Sequence, residues 1–184
     1  NVLDAGQASL DAMFTWAPWI FMFLIPAITM RSFAEEHRSG TMELILTRPL
    51  SERSVVLAKF FGAFAVMLCA LLPTLLYIPV IGELGQPGWN FDGGGMQGSY
   101  VGLILLGSAY TACGILISTL TRNPLVAFLV TLVTLVFWYI GFTALANFSW
   151  LGSWDLIFAE LGMEAHYRSM SKGLLHGGDV LYYL

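Results

Sequence analysis

The chain has 184 residues, of which 57% are hydrophobic and 11% charged, with a formal net charge of -4 and a mean hydropathy of +0.74. Values this apolar exclude an ordinary soluble domain and describe a chain solvated by lipid. No basic run is long enough for a nucleic-acid surface, so nucleic acid is not an expected partner; Cys69 and Cys113 lie inside apolar stretches, where interior packing is expected rather than a disulfide or zinc framework.

A helix needs about 20 apolar residues to cross a hydrocarbon core, and four stretches qualify: 13–30, 55–81, 99–121 and 124–146. The first holds Pro18 and Pro26. Between it and the second lies a connection, 31–54, too long for a tight turn and too patterned for a slack loop. Helix is expected to continue through "RSFAEEH" to Ser39, with Gly40 ending it in a left-handed conformation. Thr41 then caps a short new helix with Glu43 in its first turn, and Pro49 stops it. Met42, Ile45 and Leu46, at i, i+3 and i+4, give this helix one apolar face. A helix of about seven residues is marginal alone in water, so it must dock, either on lipid headgroups or in a partner protein. Glu35, Glu36 and Arg38 pair locally, meet a partner or are solvated; Glu43 either satisfies backbone N–H groups or touches a partner.

Ser51 is placed to cap the second span, in which Lys59 stands one turn inside the end and reaches back to the interface. Pro73 and Pro79 bend the outer half of that span. The 99–121 span carries Gly107, Thr111, Ala112, Gly114, Ser118, Thr119 and Thr121, residues suited to close helix packing rather than to a polar path. Beyond 146, "SWDLIFAEL" predicts an amphipathic segment over about 153–162. His166, His176 and Asp179 have no ligand spacing of any strength and are expected as solvated or interfacial groups, with no metal. The chain opens on Asn1 and closes on "GGDVLYYL", which reads as the first turns of a further crossing, so a fragment is expected.

Of the eight Lys and Arg residues, Arg31, Arg38, Arg48, Arg53, Lys59 and Arg122 gather on one side of the spans. The positive-inside rule makes that side cytoplasmic and leaves 1–12, 82–98 and 147–176 outside.

Residues 31–60, "RSFAEEHRSGTMELILTRPLSERSVVLAKF", resemble the signature of ABC-2 type transporter permeases: an Arg, a Glu pair, a Ser-Gly-Thr-x-Glu core, a Pro and a Lys-bearing helix. Arg31, Glu35, Glu36, Ser39, Gly40, Thr41, Glu43, Pro49 and Lys59 stand at the matching positions. "LLPTLLYIPVI", "GWNFDGGGMQGSYVGL" and "STLTRNPLVAF" are similar to the gliding-motility-associated permeases of Bacteroidota. The resemblance covers most of 7–146 and the stretch near the end. It implies an all-α polytopic bundle of the type V exporter kind with six spans, of which this chain would lack the first and last, in the inner (cytoplasmic) membrane. It implies a separate ABC ATPase subunit holding ATP and Mg, and a second permease copy or a homologous permease. It makes 31–54 the coupling loop, with Glu35, Glu36, Gly40, Thr41, Met42, Glu43, Ile45, Leu46 and Pro49 meeting the ATPase. The chain agrees by having no G-x-x-x-x-G-K-[ST] phosphate loop, and Gly93–Gly95 lacks the following Lys.

The spans contain no paired carboxylates and no His, which argues against ion-coupled transport. Two functions are left: a permease subunit driven by a partner ATPase, or a membrane anchor of a motility or secretion apparatus that does not transport. No residue selects a substrate.

Overall fold

The computed structural model describes residues 10–43, 47, 51–84, 93–146, 160–173 and 176–183. Every regular element among them is a helix: α1 (Asp11–Thr29), α2 (Ala34–Ser39), α3 (Glu52–Leu71), a 3-10 stretch (Leu72–Leu76), α4 (Tyr77–Leu84), α5 (Gly93–Leu120), α6 (Pro124–Val136), a π turn (Phe137–Gly141), α7 (Phe142–Ala146), α8 (Met163–Ser171) and α9 (Gly177–Tyr183). Joined across their short breaks, four segments are long and apolar enough to cross a membrane: Asp11–Ser39, Glu52–Val80, Gly93–Leu120 and Pro124–Ala146. The fold is the all-α transmembrane bundle expected from the sequence.

Helix α5 is the hub, touching α1, α2, α3, α6, α8 and α9. Its buried positions recur every three to five residues, through Gly95, Gly98, Gly102, Gly107, Thr111, Gly114 and Ser118. Lipid tails are as apolar as leucine, so hydrophobic burial does not hold such helices together; close approach does. A Cβ on Gly114 would lie 2.2 Å from the Thr29 hydroxyl, and one on Gly98 would lie 2.2 Å from the Met170 carbonyl oxygen. The buried hydroxyls of Thr29, Ser99, Thr111 and Thr131 donate to carbonyls one turn back in their own helices. The stripe is therefore a packing surface, although Ala112, counted with it from composition, faces outward.

Helix α5 starts at Gly93, ahead of the expected boundary at 99. Three successive glycines oppose helix on propensity alone, but the end of α8 crosses there at backbone contact. Gly173, at φ 79°, would place a Cβ 3.1 Å from the Gly94 carbonyl carbon. Helix α3 meets the bundle along Ala63, Met67 and Leu71, one residue every turn. Cys69 lies off that strip and is exposed, contrary to the interior role expected for it, while Cys113 is half-buried.

Pro18 leaves a backbone gap that another element fills. Pro18 has no N–H to offer the Phe14 carbonyl, and the Tyr167 hydroxyl of α8 donates to that oxygen at 2.7 Å. Pro73 stands in the 3-10 stretch that interrupts the second span, where the Tyr100 hydroxyl donates to the Thr74 carbonyl at 3.1 Å.

The expected amphipathic segment 153–162 falls mostly outside the described residues, which resume at Glu160. His166 is not a solvated group. Its Nδ1 is hydrogen-bonded to Asp179 at 2.6 Å, its Nε2 lies 2.7 Å from the Glu160 carbonyl oxygen, and its ring stacks on Tyr182 with centroids 4.2 Å apart. Burial acts to raise the Asp179 pKa, but the His166 hydrogen bond and the nearby charges of His166 and His176 outweigh it and hold the carboxyl below its usual value. Among the described residues, no three His, Cys, Asp or Glu side chains converge as a metal site would require.

Candidate functional site: the joint at the basic end

After Thr29 the chain leaves helical geometry through Met30–Phe33 and restarts as α2. A restarted helix exposes N–H groups that need acceptors, and Phe33 supplies no side-chain cap. The acceptor comes from α5: the Ser118 hydroxyl oxygen accepts from the Phe33 and Ala34 N–H groups at 3.0 and 3.1 Å and donates to the Met30 carbonyl at 3.2 Å. Ser118 is fully buried. One side chain thus satisfies both sides of the break.

Lys59 of α3 completes the joint. Its ammonium donates to the Ser32 carbonyl, pairs with Glu36 at 2.5 Å and lies 4.2 Å from the centroid of the Phe33 ring. Beneath it Phe33, Ala63 and Ile115 form a small apolar plug, joined by Ile28, Met42, Val55 and Phe60. The ends of α1, α3 and α5 are held together by polar bonds above and side-chain packing below.

The residues singled out from the sequence divide by exposure. Glu35, Thr41 and Glu43 are exposed, as is Arg38, whereas Glu36 is half-buried with one carboxylate oxygen on Lys59 and the other enclosed without a partner among the described residues. Gly40 has φ 71°, and a Cβ there would meet nothing within 4 Å, so the need for glycine is conformational. Thr41 places its hydroxyl 2.8 Å from that of Ser39, which donates to the Glu35 carbonyl. Met42 is half-buried on the chain's own plug. The Thr47 N–H donates to the Glu43 carbonyl at 3.1 Å, a helical spacing. Ile45, Leu46 and Pro49 lie outside the described residues. Ser51 caps α3, accepting from the Ser54 N–H at 3.2 Å.

Lys59 turns onto the joint instead of simply reaching for the interface. Sequence reasoning counted Ser118 as a packing residue and missed its part in the joint. The available signal was a hydroxyl at the last position of a small-residue stripe, level with the helix break.

Four membrane-capable helices, one of them the glycine-lined hub, with a capped and charged elbow at one end, define a multi-pass membrane protein. The chain belongs to the ABC-2 transporter family: residues 4–151 match the family described as ABC-2 family transporter protein. It is 30% identical over 121 residues to the probable ABC transporter permease protein NosY of Stutzerimonas stutzeri, an alignment that takes in 59% of the chain and 44% of that relative. The chain thus spans less than half the length of the curated relative it matches. No solved structure matches it.

Proposed function

We propose that this chain forms part of the permease subunit of an ABC transporter, in which the elbow 31–54 docks on a separate ATPase subunit that holds ATP and Mg. The observation that supports this reading most is the joint: Ser118 and Lys59 attach the elbow to two neighbouring spans, so a push on it moves their ends rather than bending a loop. Met42 seats the elbow on the spans, while Glu35, Thr41 and Glu43 face outward toward the ATPase. Gly40, Ile45, Leu46 and Pro49 shape the same coupling element. An ATPase dimer offers two grooves and this chain one elbow, so two copies, or this chain with a homologous permease, complete the transporter.

Loss of partner binding tests the reading. Reversing two exposed acids in a docked surface juxtaposes like charges, which costs several kcal/mol. Glu35→Lys combined with Glu43→Lys is expected to cut recovery of the ATPase in a pull-down by roughly tenfold or more at matched membrane levels. Equal recovery would remove the coupling role. A non-transporting anchor is the competing reading, and substrate-stimulated ATPase activity of the complex separates the two.

The basic end faces the cytoplasm of the inner membrane in this reading. A cysteine at Ser39 is expected to react with impermeant reagents only from the cytoplasm, and one at Lys172 only from outside; the reverse pattern would invert the topology. The finer assignment to gliding motility rests on sequence resemblance, and a spreading assay on a deletion strain tests it.

A further inference from the structure

At the end of the bundle opposite the joint, α1, the start of α5, the π turn and α8 enclose a cavity of about 580 Å³. That volume falls within the range of small-molecule sites. Its lining changes character with depth. Asp11, Thr15 and Trp19 succeed one another down α1, roughly 12 Å from first to last at 1.5 Å per residue. Glu164, Arg168 and Lys172 line it from the α8 side, and the rings of Phe14, Trp19, Tyr139 and Tyr167 also line it. Trp19 and Tyr139 meet edge to face, with centroids 6.0 Å apart.

Two observations leave polar groups of the lining available to a ligand. Tyr139 is 5% exposed, lines the cavity and makes no hydrogen bond among the described residues. Asp11 and Lys172, one acid and one base, form no ion pair among the described residues. Arg168 pairs with Glu164 at 2.6 Å through one guanidinium nitrogen, leaving its other N–H donors toward solvent.

We propose that this cavity binds the headgroup of a zwitterionic phospholipid of the phosphatidylethanolamine class. Phosphate is recognised by Lys172, Arg168 and the Tyr139 hydroxyl, and the primary ammonium by Asp11 and Glu164. The first acyl segments lie against Trp19. Depth argues for an amphiphile, because a wholly polar solute has no use for aromatic rings on the cavity wall inside the membrane. The charge balance argues for a zwitterion, because with Glu164 paired to Arg168 the lining leaves one acid, Asp11, and one base, Lys172, without an ion pair among the described residues. The proposal does not depend on ATPase coupling and is read without nucleotide.

The test uses full-length permease in nanodiscs of mixed phosphatidylethanolamine and phosphatidylglycerol, delipidated stepwise, with retained lipid counted by native mass spectrometry. Phosphatidylethanolamine is expected to be retained about tenfold over phosphatidylglycerol, with Tyr139→Phe lowering that preference about fivefold. Tyr139→Phe removes only a hydroxyl that has no partner among the described residues, so it should fold as wild type does. Lys172→Ala with Arg168→Gln is expected to abolish the preference, and soluble phosphoethanolamine is expected not to displace the lipid. Equal retention of the two lipids, wild-type selectivity in all variants, or displacement by the soluble head at equal concentration would each overturn the proposal. So would lipid-excluding crosslinking of Thr15→Cys to another part of the protein.

Discussion

Gly98→Ala is expected to destabilise the bundle by about 3 kcal/mol, lowering its thermal midpoint by roughly 5–10 °C. The new methyl would stand 2.2 Å from the Met170 carbonyl oxygen and 3.3 Å from the Gly173 Cα, both backbone atoms that cannot rotate away. Helix α8 must lift off α5, and its lost contacts have no hydrophobic replacement in lipid. Two other glycines serve as controls. At Gly107 the added carbon meets the Met67 Cε at 2.6 Å, the far end of a flexible thioether, so Gly107→Ala should cost under about 1 kcal/mol. At Gly62 nothing lies within 4 Å, and alanine there gains about 1 kcal/mol of helix propensity. Thermal unfolding followed by fluorescence-detected size exclusion ranks the three; a Gly98→Ala protein as stable as Gly62→Ala would show that the close crossing is not structural.

Ser118→Ala is expected to open the joint without disturbing the remainder of the bundle. It strands the Phe33 and Ala34 N–H groups and the Met30 carbonyl, each at about 1–3 kcal/mol when buried without a partner. The total of several kcal/mol falls on one turn, so local opening comes before global unfolding. Hydrogen exchange over 30–43 should accelerate by at least about a hundredfold, while the centre of α5 stays protected. Thr119→Ala is the matched control, because among the described residues that hydroxyl bonds only to the Leu116 carbonyl of its own helix. Unchanged exchange in Ser118→Ala would mean that the break is held by other contacts. In a coupled transporter the same variant should keep ATPase binding and lose substrate stimulation.

The spans were legible because hydropathy over about 20 residues is a strong signal, and the Gly40 and Ser51 signals were legible because each depends on one residue's backbone preference. What stayed hidden needed partners distant in sequence. Gly93–Gly95 reads as loop until the end of α8 lies against it, and Ser118 reads as a small packing residue until Phe33 and Ala34 present their N–H groups. Lys59 was read as reaching for the interface, and its three partners, Ser32, Phe33 and Glu36, lie across a helix break whose geometry hydropathy does not encode. The cavity residues were scattered over four separate stretches of chain, with four aromatic positions among them, and no periodicity connects them.

Tyr167 and Ser118 each hold a main-chain oxygen of the first span, at Phe14 and at Met30. These contacts act as indexing pins sixteen residues apart, roughly 24 Å along a helix. A helix gripped by side chains alone can slip by a few tenths of a turn, because rotamers adjust. A helix gripped by its own carbonyls at two separated points cannot slide without losing both bonds together. The first span, α5 and α8 therefore form one indexed body whose internal register is fixed. The second span is held to the same body at main-chain oxygens too, by the Tyr100 hydroxyl of α5 on the Thr74 carbonyl and by Lys59 of α3 on the Ser32 carbonyl.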